Sequence, residues 1–164
     1  MTEQERQHFC ELYETHYEMV YRVCFSFMKN VADTEDAVAE TFLKLMSHMS
    51  DMKNERHLKG WLVVTASNFC KNQLKHWWRK NKTTMDEAHP KGVAEPVYVP
   101  NETMEAIMNL PPRYKSEIYL YYYEGYNSGE IGEMIGRSAS GVRNDLQKAR
   151  KLLKEELQNG GISL

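Results

Sequence analysis

The sequence is poor in every feature that would mark a membrane, secreted or metal-stapled protein. It contains no apolar run approaching the roughly eighteen residues of a membrane span, and its start, MTEQERQHF, lacks the basic-then-apolar layout of an export signal. A cytoplasmic chain without membrane insertion is therefore expected. Cysteine is scarce: Cys10, Cys24 and Cys70 are odd in number, lie in helical apolar patterns and make no CxxC pair. That excludes a disulfide framework or a structural zinc site and predicts three small core residues. The patterns HExxH, GxSxG, GxxxxGK[ST] and GxGxxG are absent and the six histidines are scattered, so no enzyme, cofactor or metal site is expected. His8, Glu11, Glu14 and Glu18 share one helical face, which a solvated acidic surface explains.

What is present suits small helical cores. The 164 residues are 41% hydrophobic and 11% aromatic, enough for one medium domain or two small ones. The net charge of −2 hides a steep internal contrast. Residues 1–55 carry five Lys/Arg against eleven Asp/Glu, whereas 56–82 carry seven Lys/Arg and no acid. A second basic stretch, 137–154, sets Arg137, Arg143, Lys148, Arg150, Lys151 and Lys154 against Asp145 alone. Cations clustered in two segments are the footprint of a polyanion bound at two places, although a solvated helix face accounts for either one singly.

Apolar spacing predicts an all-α fold. Phe9, Leu12, Tyr13, Tyr17, Val20, Tyr21, Cys24 and Phe27 make one stripe. Asp33 or Thr34 is expected to cap a second helix that buries Ala37, Val38, Thr41, Phe42 and Leu45. After a polar break at 47–57, a third helix is marked by Leu58, Trp61, Leu62, Thr65, Ala66, Phe69 and Leu74. Residues 81–102 hold three of the five prolines and no helical period, which reads as a linker. From Thr103 a short helix stops at Pro111-Pro112, and the second proline opens the next, which Gly125 ends. Ser128 is expected to cap GEIGEMIG, Gly136 to supply a turn, and Ser138 to cap a long helix with the stripe Val142, Leu146, Ala149, Leu153, Leu157. Two helices about a tight glycine turn have the layout of a helix-turn-helix reader.

Three segments, in order, resemble sigma factors of the extracytoplasmic-function type, over nearly the whole chain. DTEDAVAETFLKLM (33–46) is similar to the family helix that docks on the clamp helices of the largest RNA polymerase subunit. The resemblance implies polymerase contacts from Asp36, Ala39, Glu40, Phe42 and Leu43, with Ala39 standing where glutamine is common. HLKGWLVVTASNFCKNQLKHWWRK (57–80) is similar to the helix that reads the −10 element and implies roles for Asn68, Lys71, Asn72, Lys75 and Arg79. There the 47–57 loop corresponds to the element that captures a flipped base. The family ends this helix in Arg-rich sequence, so His76-Trp77-Trp78 is a departure; Trp61 falls on the apolar stripe and reads as core.

LPPRYKSEIYLYYYEGYNSGEIGEMIGRSASGVRNDLQKARKLL (110–153) resembles the family's −35 reader. It implies base or phosphate contacts from Ser138, Ser140, Arg143, Asn144, Gln147 and Lys148. Arg pairs with guanine, and Asn or Gln with adenine. Asp145 replaces a basic residue there, and Gly141 a better helix former. The resemblance thus implies two small helical domains, 1–80 (sigma region 2) and 103–164 (sigma region 4), joined by the 81–102 linker. Their expected partners are core RNA polymerase, through the clamp helices and flap, promoter DNA, and an anti-sigma factor. The alternative is a helix-turn-helix regulator that binds duplex DNA without polymerase; it would be a dimer that shifts duplex alone, whereas a sigma factor is monomeric when free.

Overall fold

A computed structural model describes residues 1–80 and 102–159, which divide into two compact units, one within Met1–Glu95 and one within Pro96–Leu164. All regular structure among the described residues is helical. The expected linker lies outside them except for Glu102, which opens a helix.

The first unit is three mutually packed helices, α1 (Glu3–Met28), α2 (Val31–His48) and α3 (Glu55–Lys80). A capping box starts α1: the Thr2 hydroxyl accepts from the Glu5 N–H at 3.1 Å, and the Glu5 carboxylate accepts from the Thr2 N–H at 2.8 Å. The amino-terminal half of α1 is largely exposed, whereas from Met19 to Met28 only Arg22 escapes full burial. Lys29, in the left-handed region at φ 63°, ends the helix, and Asn30 begins the next at once. The cap of α2 is therefore Asn30, not Asp33 or Thr34. Its side chain accepts from the Asp33 N–H at 2.9 Å, and the Thr34 hydroxyl is turned inward to the Asn30 carbonyl. So short a connection forces α1 and α2 to lie side by side, and Ala37, Val38, Thr41, Phe42 and Leu45 are all buried, as their spacing predicts. Leu58, Leu62, Val63, Ala66 and Cys70 of α3 complete this core. Cys24 and Cys70 are the core residues expected, but Cys10 is exposed: of the two neighbours it is Phe9 that turns toward Phe42 of α2.

The second unit comprises α4 (Glu102–Met108), α5 (Pro112–Tyr122), α6 (Ser128–Ile135) and α7 (Ala139–Asn159), with α7 packed on all three others. Pro112 occupies the first turn of α5, where its missing N–H costs nothing. The cap of α6 is Asn127 rather than Ser128: its side chain accepts from the Glu130 N–H, and Glu130 answers the Asn127 N–H, both at 2.9 Å. Val142, Leu146, Ala149 and Leu157 of α7 are buried, as are Ile107, Ile118, Leu120 and Ile131 of the three helices it packs on.

The turn between α6 and α7 requires glycine twice. Gly136 adopts φ 76°, and a Cβ on Gly132 would stand 2.4 Å from the Arg137 carbonyl oxygen, a backbone atom that cannot rotate aside. Ser138 caps α7 as expected, its hydroxyl accepting from the Gly141 N–H at 3.0 Å.

Candidate nucleic-acid interface

On α2, Asp36, Ala39, Glu40 and Leu43 lie on the outer surface, and Leu43 is 58% exposed. Phe42 is not part of that surface: it is 2% exposed, with its ring 4.7 Å from Tyr13 and 6.4 Å from Phe9. It is thereby removed from the set that could touch a partner and serves to fix the helix carrying that set. The sequence-derived set also omits Met46, which is exposed and stands three residues beyond Leu43 on the same side. The i+3 spacing was a sufficient signal for it. The row is thus acidic at its start and apolar at its end.

The polar break between α2 and α3 is narrower than 47–57. Helix α2 runs to His48, Met49–Asp51 form one turn of 3-10 helix, and α3 begins at Glu55. Asn54 caps α3 by accepting from the His57 N–H at 2.8 Å, while the Lys53 N–H donates to His57 Nδ1 at 3.1 Å. The loop is thus pinned to the first turn of the helix it precedes. Met49, Met52 and Asn54 of this segment line a cavity of about 410 Å³ with His8, His16 and Glu55. That volume lies within the roughly 300–1,000 Å³ typical of small-molecule sites. His16 is buried, and desolvation holds its imidazole below the usual histidine value, against the pull of Glu55 and with the push of Lys59. Among the described residues no cluster of His, Cys, Asp or Glu is arranged to hold a metal ion.

Along α3, Asn68, Asn72, Lys75 and Arg79 follow one another at i, i+4, i+7 and i+11 and are all exposed; Lys71, half-buried, flanks them. The opposite side of the helix is locked in the core through Leu62, Ala66 and Cys70. Each Asn offers donor and acceptor together, which a base edge requires, and the cations follow the same line. Trp61 is half-buried, 5.4 Å from the His48 ring, consistent with its place on the apolar stripe.

On α7, Ser138, Ser140, Arg143, Asn144, Gln147 and Lys148 are all exposed, while Val142, Leu146 and Ala149 anchor the other side. A rigid helix with an outward polar row at its amino-terminal end has the geometry to enter a major groove. Asp145, between these residues, does not face outward. It is 2% exposed and binds two guanidinium groups, Arg113 at 3.1 Å and Arg137 in a closer contact. Buried Glu117 lies 3.9 Å from the same Arg137. Arg137 therefore spends its charge on two buried carboxylates, which sets it apart from the outward row of the 137–154 stretch. Gly141 has a local reason as well: a Cβ there would come within 3.0 Å of the Arg137 guanidinium and 3.1 Å of the Ser138 hydroxyl.

Comparison with known proteins follows the same division. Residues 12–82 match the family model described as Sigma-70 region 2, and residues 101–153 the one described as Sigma-70, region 4. RNA polymerase sigma factor SigV of Bacillus subtilis is 33% identical over 152 residues, covering 90% of each chain. ECF RNA polymerase sigma factor SigM of the same organism is 27% identical over 161 residues, covering 93% of this chain and 96% of its own. Among solved structures, the sigma factor RpoE of Bartonella quintana, crystallised with the anti-sigma factor NepR, superposes with a TM-score of 0.71 at 16% identity, over 93% of this chain and 98% of its own. That likeness concerns the fold.

Proposed function

The chain belongs to the sigma-70 family as a sigma factor of the extracytoplasmic-function type, and from that premise we propose that it directs core RNA polymerase to promoters by holding three surfaces at once. The outer row of α2, Asp36, Ala39, Glu40 and Leu43, docks on the polymerase clamp, its carboxylates meeting a basic surface and Leu43 an apolar one. The α3 row, Asn68, Asn72, Lys75 and Arg79 with Lys71, holds the separated −10 strand. The cavity beneath the 49–54 segment, whose lining includes Glu11 and Glu55 and no lysine or arginine, suits the amino edge of a flipped base better than a phosphate. The α7 row, Ser138, Ser140, Arg143, Asn144, Gln147 and Lys148, reads the −35 duplex. Joining the two readers through 81–102 raises affinity by effective concentration without any new contact. An anti-sigma factor is the expected regulator, since the solved relative RpoE was crystallised with one.

The observation that carries this reading is the α3 row: two amides followed by two cations, exposed along one line of a helix with no acid after Glu55, while its other side is fixed in a core. Phosphates need the cations and unpaired bases need the amides. Asn68→Ala combined with Asn72→Ala is expected to abolish promoter-dependent transcription while leaving association with core polymerase unchanged. A parallel loss of core association would show that this row belongs to the polymerase contact instead.

A further inference from the structure

We propose that Trp78 is a stacking platform for an unpaired DNA base, which extends the α3 surface by a residue outside the row assigned above; the inference rests on the reading of α3 as the strand-holding helix. Of the three tryptophans of α3, Trp61 and Trp77 are half-buried, whereas Trp78 is 45% exposed at the far end of the helix. Its indole is not loose: it meets the Trp77 ring edge-on at 5.5 Å, so the half-buried neighbour buttresses the exposed one and reduces the rotamer freedom lost on binding.

The surroundings of Trp78 decide what it would bind. Lys71, Lys75 and Trp78 are spaced i, i+4, i+7, which sets the indole in line with two cations, and Arg79 and Lys80 follow it directly. No acid occurs anywhere from 56 to 82. A single strand offers both complements at once, phosphates for the cations and a base face for the indole, and stacking accepts any base. A protein partner would have to bring carboxylates around an aromatic socket, and nothing else on this helix calls for that. Trp78 lies six positions beyond Asn72, about 9 Å along the axis and about 120° around it, so one strand meeting both the amides and the indole would cross the helix obliquely.

The test uses the full chain assembled with core RNA polymerase and a duplex carrying a noncomplementary bubble of mixed sequence, its non-template strand substituted with 5-iododeoxyuridine. Irradiation is expected to cross-link that strand to the peptide containing Trp78. Trp78→Ala is expected to weaken bubble binding about tenfold, by removing one base–aromatic stack, with the salt slope unchanged because no cation is lost. Trp78→Phe should recover most of the affinity, whereas Lys75→Ala should reduce the salt slope. The inference is overturned if Trp78→Ala assembles with core and binds the bubble as tightly as the parent, or if the irradiated strand cross-links to the chain elsewhere and not to the peptide containing Trp78. Failure of the parent chain to assemble with core at all would overturn the underlying reading together with this one, and is distinguished from the first outcome by the assembly step.

Discussion

Removing Arg137 should damage the second unit far more than removing the carboxylate it pairs with. Arg137→Ala takes from Asp145 one of its two guanidinium partners and from Glu117 the guanidinium 3.9 Å away, and both carboxylates are buried. Breaking a buried ion pair by deleting one member costs about 3–5 kcal/mol. Arg113 still holds Asp145 at 3.1 Å, and the Arg137 side chain is 40% exposed, so solvent screening discounts the loss to about 2–3 kcal/mol. Asp145→Ala leaves the opposite imbalance: the Arg113 and Arg137 side chains, 59% and 40% exposed, turn into water, and the expected cost is about 1 kcal/mol. A domain of about 60 residues has roughly 3–9 kcal/mol of stability, so the first change consumes a large share of it and the second a small one. Hydrogen exchange of α5 and α7 peptides under increasing urea resolves this unit from the first. The double variant should lose less than the sum of the singles, because the two residues share one contact. Asp145→Ala costing as much as Arg137→Ala would refute the reasoning, since it would mean the guanidiniums depend on the carboxylates and not the reverse.

Three further outcomes are expected. Lys29→Gly should stabilise the first unit by roughly 1 kcal/mol, seen as a higher urea midpoint at constant slope, because glycine accepts the left-handed φ of 63° without the Cβ penalty. The first unit should also lose stability as pH falls below the ordinary histidine value of 6.5: burial lowers the His16 pKa, so the unfolded chain takes up that proton first, and the contribution is complete only above that pH. Urea titrations at pH 7.5 and 5.5 check this, and His16→Gln should narrow the difference. Arg143→Ala should lower transcription from a cognate promoter more than Lys154→Ala does, by the roughly 1–3 kcal/mol of one bidentate base contact; equal losses would move the base-reading row elsewhere.

The helices and their buried sides were legible in the sequence because a 3.6-residue period survives in nearly every one, from Ala37, Val38 and Leu45 to Val142, Leu146 and Ala149. Their starts were less so. Asn30 and Asp33 are both good caps, and the choice depends on where α1 stops, which is set by a lysine in a conformation usually given to glycine. Asn127 and Ser128 are likewise adjacent capable residues, and only the reciprocal bond from Glu130 separates them. Of the candidate surfaces, the spacing of the α3 and α7 rows was readable, and those side chains stand outward apart from half-buried Lys71. Phe42 belongs to the buried stripe by its spacing and to the polymerase set only by family resemblance; its burial, with the rings of Phe9 and Tyr13 reaching over from α1, leaves it to the core. Asp145 was unreadable because Arg113 and Arg137 reach it from α5 and from the turn, at separations no single helix produces.

The most direct measurement of the central claim is transcription in vitro with purified chain, core RNA polymerase and a pooled promoter library. The account predicts initiation from a restricted set of templates sharing two spaced elements, lost when Asn68 and Asn72 are replaced together. Absence of initiation from every template, with no association between the chain and core polymerase, would contradict it.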